Sequence, residues 1–148
     1  MKKTQKKLGN KGFSLVELIV VIAIMAVLVG VLAPTLIKNI EKSRESKDAQ
    51  NCEQLKSSVE IALQNETAYS ENVVSGGNDI ITIGSDGKVV IHDKSTAADG
   101  QKAFTEELKG QIDTTKFALT SKKYKNAANG IKINVNERGQ VTITGIPS

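Results

Sequence analysis

The chain has few of the residues on which catalytic and metal chemistry usually rests. Its 148 residues include one cysteine, Cys52, and one histidine, His92. A single thiol excludes an internal disulfide, a CxxC redox pair and a zinc site built on several cysteines. A single imidazole excludes a histidine-rich metal site and leaves His92 as the only base for a Ser-His-Asp arrangement. Tryptophan is absent, and two tyrosines and three phenylalanines make up the 3% aromatic content. No candidate nucleophile has an identifiable base partner. The reading is of a protein that is not an enzyme, with no catalytic residues, no metal site and no cofactor.

Charge is also scarcer than the net value of +4 and pI of about 9.1 imply. Lys2, Lys3, Lys6, Lys7 and Lys11 lie in the first twelve residues, where there is no acid. Without those five, 15 basic residues face 16 acidic ones, and from Glu66 onward each sign occurs ten times. The basic character therefore belongs to the N-terminal leader and not to a binding face, so nucleic acid is not an expected partner. Lys122-Lys123-Tyr124-Lys125, three cations around an aromatic, is the one local exception, and it reads as a solvated loop.

What is abundant is apolar sequence, concentrated near the N-terminus. Residues 1–12, MKKTQKKLGNKG, have no apolar periodicity and are expected to be disordered. Residues 13–37 follow, and between Leu18 and Ala33 no side chain is polar. Twenty-five helical residues at about 1.5 Å each are long enough to cross a bilayer core. The lysines on the N-terminal flank place that side in the cytoplasm and the C-terminal bulk outside.

After Ile40 the pattern becomes amphipathic, with apolar positions at Ala49, Cys52, Leu55, Val59, Ala62 and Leu63. Spacings of three and four predict one continuous helix from about Phe13 to about Asn65. Cys52, on that stripe, reads as buried packing rather than a reactive thiol. Pro34 is the helix's internal breaker and Gly30 a poor helix former, so Gly30 and Pro34 mark the expected kink. Beyond Gly76-Gly77 the period falls to two. Residues 79–83 and 88–92 predict one β-hairpin, and 131–135 and 141–145 a second. Residues 100–110 predict a short helix ended by Gly110. Residues 112–128 are ambiguous, with a strand near 116–119 as one reading. The fold class is α+β: a long N-terminal helix whose C-terminal half packs against a small antiparallel sheet.

Residues 11–17, KGFSLVE, carry the functional signal. Glu17 is the only ionisable group between Phe13 and Ile37. A carboxylate costs about 2.5–3.5 kcal/mol at mid-membrane and less near the interface, so something should compensate it. One reading is local: Ser14-x-x-Glu17 is a capping box, with Phe13 and Leu18 spaced as a hydrophobic staple. Another is a secretory signal cleaved near Val31-Leu32-Ala33, which Pro34 immediately after disfavours.

Gly12-Phe13-Ser14-Leu15-Val16-Glu17, after a short lysine-rich leader and before an unbroken apolar helix, resembles the class III signal of type IV prepilins. The resemblance is tight over residues 7–40 and architectural beyond. Ser14 departs from the threonine common there. The short leader and absence of paired cysteines are similar to the major pilins of Gram-positive, clostridia-like bacteria.

The resemblance implies leader cleavage between Gly12 and Phe13 by a prepilin peptidase, followed by N-methylation of Phe13. It implies residues 1–12 as leader, 13–37 as transmembrane and polymerisation helix, and 38–148 as extracytoplasmic head. Assembly would pair Glu17 of one subunit with the Phe13 amine of another in a homopolymer. Its partners would be the membrane, an assembly ATPase, a platform protein and minor pilins. The subunit would sit in the cytoplasmic membrane as a single pass with its N-terminus inside, then join an extracellular filament serving adhesion, biofilm or surface motility. The alternatives are a pseudopilin of a type II secretion or DNA-uptake system, and a single-span anchored surface protein.

Overall fold

The computed structural model describes residues 12, 14–84, 86–94, 102–127 and 130–148. Its elements are α1 (Leu15–Ala62), α2 (Glu66–Asn72), β1 (Asn78–Ile83), β2 (Val89–Ile91), α3 (Ala103–Gln111), α4 (Lys122–Lys125), β3 (Ile131–Val135) and β4 (Val141–Thr144). This is the α+β arrangement the sequence predicts. The chain divides into two compact units, Met1–Asn39 and Ile40–Ser148.

In the larger unit the strands form one antiparallel sheet in the order β2-β1-β3-β4. Alternating apolar residues set its inner face, since period-two side chains share a side. Ile133 pairs with Ile143 and Val135 with Val141, as the second hairpin's alternation predicts. The two hairpins join through β1 and β3, where Ile81 faces Ile133 and Ile83 faces Ile131. The register shifts between Asp79 and Ile81, so Ile80 is an extra residue in β1. Its carbonyl accepts a hydrogen bond from the His92 amide at 2.8 Å, and both Ile80 and Ile81 are fully buried. The sheet's inner face shares one core with Cys52, Leu55, Val59, Ala62 and Leu63, the stripe expected to cover it.

Three local readings change. The long helix stops at Ala62, and Asn65 caps a separate α2 by accepting from the Thr67 and Ala68 amides at 3.0 and 3.2 Å. Asn65 also donates its side-chain amide to Glu107 at 3.1 Å, so this residue of the Asn65-Glu66-Thr67 triplet is engaged in holding the fold. Gly110 does not end α3. It lies inside that helix, outside the set of left-handed glycines, and the chain leaves at Ile112 in an extended conformation. A C-terminal glycine ends a helix only when it adopts the left-handed geometry.

The third change concerns residues 112–127, which contain no strand. They are docked on α1 by a buried carboxylate. Asp48 is 0% exposed. It accepts from the Thr120 amide at 2.9 and 3.0 Å, the Thr120 hydroxyl at 3.1 Å and the Ser121 amide at 2.7 Å. Glu41 accepts from the Lys122 amide. Ser121 in turn caps α4 through its hydroxyl, and Phe117, Leu119 and Tyr124 point into the core.

Desolvation pushes the Asp48 carboxyl up, but the hydrogen bonds from Ser121 and Thr120 outweigh it and hold the group below its ordinary 3.8. A second buried carboxylate, Asp93, joins the end of the first hairpin to α2 and α3. It accepts from Asn72 at 3.1 Å and from the Thr105 amide and hydroxyl at 3.0 and 2.8 Å.

Candidate processing and assembly segment

The described part of the smaller unit has almost no interior. Every described residue from Ser14 to Leu32 is exposed, including Leu15, Ile22, Met25 and Val29. α1 is long and apolar enough to cross a membrane by length and composition, and none of its most apolar window is buried within the chain. An apolar stripe normally faces a core. Here the whole circumference is apolar and unpacked, which water does not tolerate over so large an area. Nothing among the described residues covers this segment.

At its start, the capping box is formed in one direction and partly in the other. The Ser14 amide donates to Glu17 Oε2 at 2.9 Å, and the Ser14 hydroxyl accepts from the Val16 amide at 3.4 Å. The Leu18 amide reaches the Ser14 carbonyl at 3.2 Å. Glu17 therefore satisfies one of the amides that open the helix, and its charge sits favourably at the positive end of the helix dipole. The local reading of Glu17 is thus present in the structure. It does not occupy the whole side chain, because Oε1 carries no hydrogen bond among the described residues.

Of the other residues singled out by sequence, Gly12 is exposed, and a Cβ there would meet nothing within 4 Å. No packing among the described residues therefore demands glycine at that position. Phe13 lies outside the described residues, and with it the staple to Leu18. α1 runs through Gly30 and Pro34 as one helix, and Gly30 also has open space where a side chain would be. Pro34 has no amide to give to the Gly30 carbonyl, so this turn carries one hydrogen bond fewer than its neighbours.

The remaining candidates are structural. Cys52 is fully buried, and burial, followed by the charges of Asp48 and Glu53, pushes its thiol up to about 12. It stays protonated and packs as a small apolar residue. His92 is exposed and bonds the Thr82 hydroxyl at 2.9 Å. Among the described residues no three His, Cys, Asp or Glu side chains gather to hold a metal. The Asp48 clasp is what sequence reading missed. Its only signal was an aspartate among apolar stripe positions, one residue before Ala49.

One comparison with known proteins falls on the same segment. Residues 7–33 match the family described as the prokaryotic N-terminal methylation motif. "Prepilin peptidase-dependent protein A" of Clostridium perfringens (strain 13 / Type A) is 39% identical over 70 residues, 47% of this chain and 49% of that protein. The match thus spans about half the length of that curated relative. No solved structure matches the chain. Together, the methylation motif and this relative support a type IV pilin-like prepilin.

Proposed function

We infer that the chain is a structural subunit of a type IV pilus, made as a membrane-anchored prepilin and assembled through its N-terminal helix. The observation that carries this reading is an apolar, unpartnered helix over residues 15–37 that opens with the single carboxylate Glu17. A segment of that kind is stable in lipid and equally stable packed against copies of itself.

In this reading a prepilin peptidase cuts between Gly12 and Phe13, a step the relative's name supports. The new cationic amine on Phe13 is then methylated. Glu17 of a neighbouring subunit pairs with that amine. Each charge alone is costly in an apolar core, and the pair offsets part of that cost while selecting one axial offset between subunits. Oε1, which carries no hydrogen bond among the described residues, leaves the carboxylate able to serve the amine while Oε2 keeps its bond to the Ser14 amide. Residues 38–148 form the filament's outer coat, and the turn at Gly30 and Pro34 is where the helix yields on extraction.

The test is Glu17→Ala in the native cell. Leader removal continues, because the scissile bond is untouched, while surface filaments fall by an order of magnitude or more. Normal filaments from that strain would overturn the pairing. Long filaments from the unaltered strain favour a pilus over a pseudopilus, which shares the same N-terminal signal.

A further inference from the structure

Between Ile40 and Asp48 the sequence alternates acids and bases and reads as neutral, but the fold separates the two signs. The three acids all turn toward the 120–123 segment. Glu41 takes the Lys122 amide, Glu45 lies 3.9 Å from Lys123, and Asp48 takes Thr120 and Ser121. Lys42, Arg44 and Lys47 remain exposed on the rest of the helix. Docking of α4 adds Lys122, Lys123 and Lys125, also exposed, at the same level of the helix. Six cations thus surround three carboxylates that are already engaged inward. Among the described residues Lys42, Lys47, Lys122 and Lys125 have no ion-pair partner, and Arg44 keeps one at 3.6 Å in Glu41.

We propose that this belt binds the anionic phospholipid headgroups of the membrane in which the prepilin is stored. The proposal rests on the anchoring reading above. Two observations select lipid. First, Lys42, Arg44 and Lys47 follow Ile37, the end of the apolar run, by five to ten residues in the same helix. So short a stretch of chain keeps them within reach of the headgroup layer and its counter-ion cloud. Second, Tyr124 is only 6% exposed and packs into the core. The lysines are therefore presented without the stacking aromatic that single-stranded nucleic acid binding uses. Exposed ammonium groups on flexible stems suit phosphate oxygens, which they meet as point charges. Bound in this way, the belt holds the head against the outer surface until assembly withdraws the helix.

The experiment uses the full-length chain in nanodiscs of phosphatidylcholine containing a minority of phosphatidylglycerol. Native mass spectrometry then counts the lipids that stay bound by headgroup. The expected result is phosphatidylglycerol retained about fivefold or more over its share of the disc. The excess collapses to parity in Lys42→Gln/Lys47→Gln/Lys122→Gln/Lys125→Gln. It is unchanged in Lys88→Gln/Lys116→Gln, which removes two lysines elsewhere. If the fourfold variant does not fold, Lys42→Gln/Lys47→Gln alone is read in its place and lowers the excess by about half.

Parity for the unaltered chain in loaded discs overturns the belt and leaves anchoring standing. Failure of the chain to enter discs at all overturns the anchoring reading, and the belt with it. An excess that survives both lysine variants overturns the assignment to these residues. Binding of DNA or of a second copy that falls with these lysines while the lipid excess does not move would overturn lipid in favour of that partner.

Discussion

The two halves of α1 share a backbone conformation and differ in what their side chains meet. Between Leu18 and Ala33 the helix carries no polar side chain, and its most apolar window buries nothing within the chain. After Ile40 it buries Asp48, Cys52, Leu55, Ser58, Val59 and Ala62 on one face and leaves the other to water. The C-terminal half finds its partner in the same chain, in the sheet and the docked 112–127 segment. The N-terminal half finds none among the described residues, which is why the proposed function assigns it to contacts between molecules. An apolar residue therefore has different meanings in the two halves: fold stability in one and, in the function proposed above, storage and assembly in the other.

Substitutions that delete the same atoms in each half sharpen this contrast. The largest expected effect is at Leu55, which is 0% exposed. Leu55→Ala destabilises the detergent-solubilised full chain by about 2–5 kcal/mol, read from its unfolding midpoint. Leu28→Ala, in a side chain 54% exposed, changes that midpoint by no more than about 0.5 kcal/mol. Equal effects at the two positions would break the comparison.

The next effect is at Asp48. Asp48→Asn removes the charge from four hydrogen bonds and costs about 1.5–3 kcal/mol at neutral pH. It also changes the response to acid. The folded-state carboxyl titrates below its ordinary 3.8, so its contribution is complete above that value and drains away as pH falls through the folded-state value. The unaltered chain therefore loses stability on acidification more steeply than Asp48→Asn. Parallel pH profiles would mean that the clasp does not depend on the charge. The smallest effect is that of Glu17→Ala on the unfolding midpoint. Its hydrogen bond to the Ser14 amide stays within the first turn of α1, so the midpoint holds in the variant whose filaments the proposed pairing predicts to fall.

The parts of this architecture that were legible in the sequence are those written as local periodicity. The unbroken run from Leu18 to Ala33, the three-four stripe from Cys52 to Leu63 and the alternation of residues 131–135 each carry their own period. Each led to the right element. The 112–127 segment has no period, because it is held by contacts 72 and 73 residues away in the chain, from Thr120 and Ser121 to Asp48. A buried acid satisfied by backbone amides leaves no mark beyond one aspartate where the stripe is apolar.

α1 ends three residues before Asn65, and pattern alone does not show it because Asn65 is compatible with a helix interior. Its capping of α2 becomes visible only once its side chain is seen accepting two amides. The same logic hid the cationic belt: the sequence of 38–48 is nearly neutral, and only the fold turns its acids inward.

The central claim, that residues 1–12 are a leader whose removal creates the assembling N-terminus, is tested most directly by one mass measurement. Protein sheared from its native cell surface is analysed as intact protein and as N-terminal peptide. A chain that begins at Phe13 and carries one additional methyl group is the predicted result. A chain that still begins at Met1, or one cut elsewhere, would contradict it and leave Glu17 as a helix cap alone.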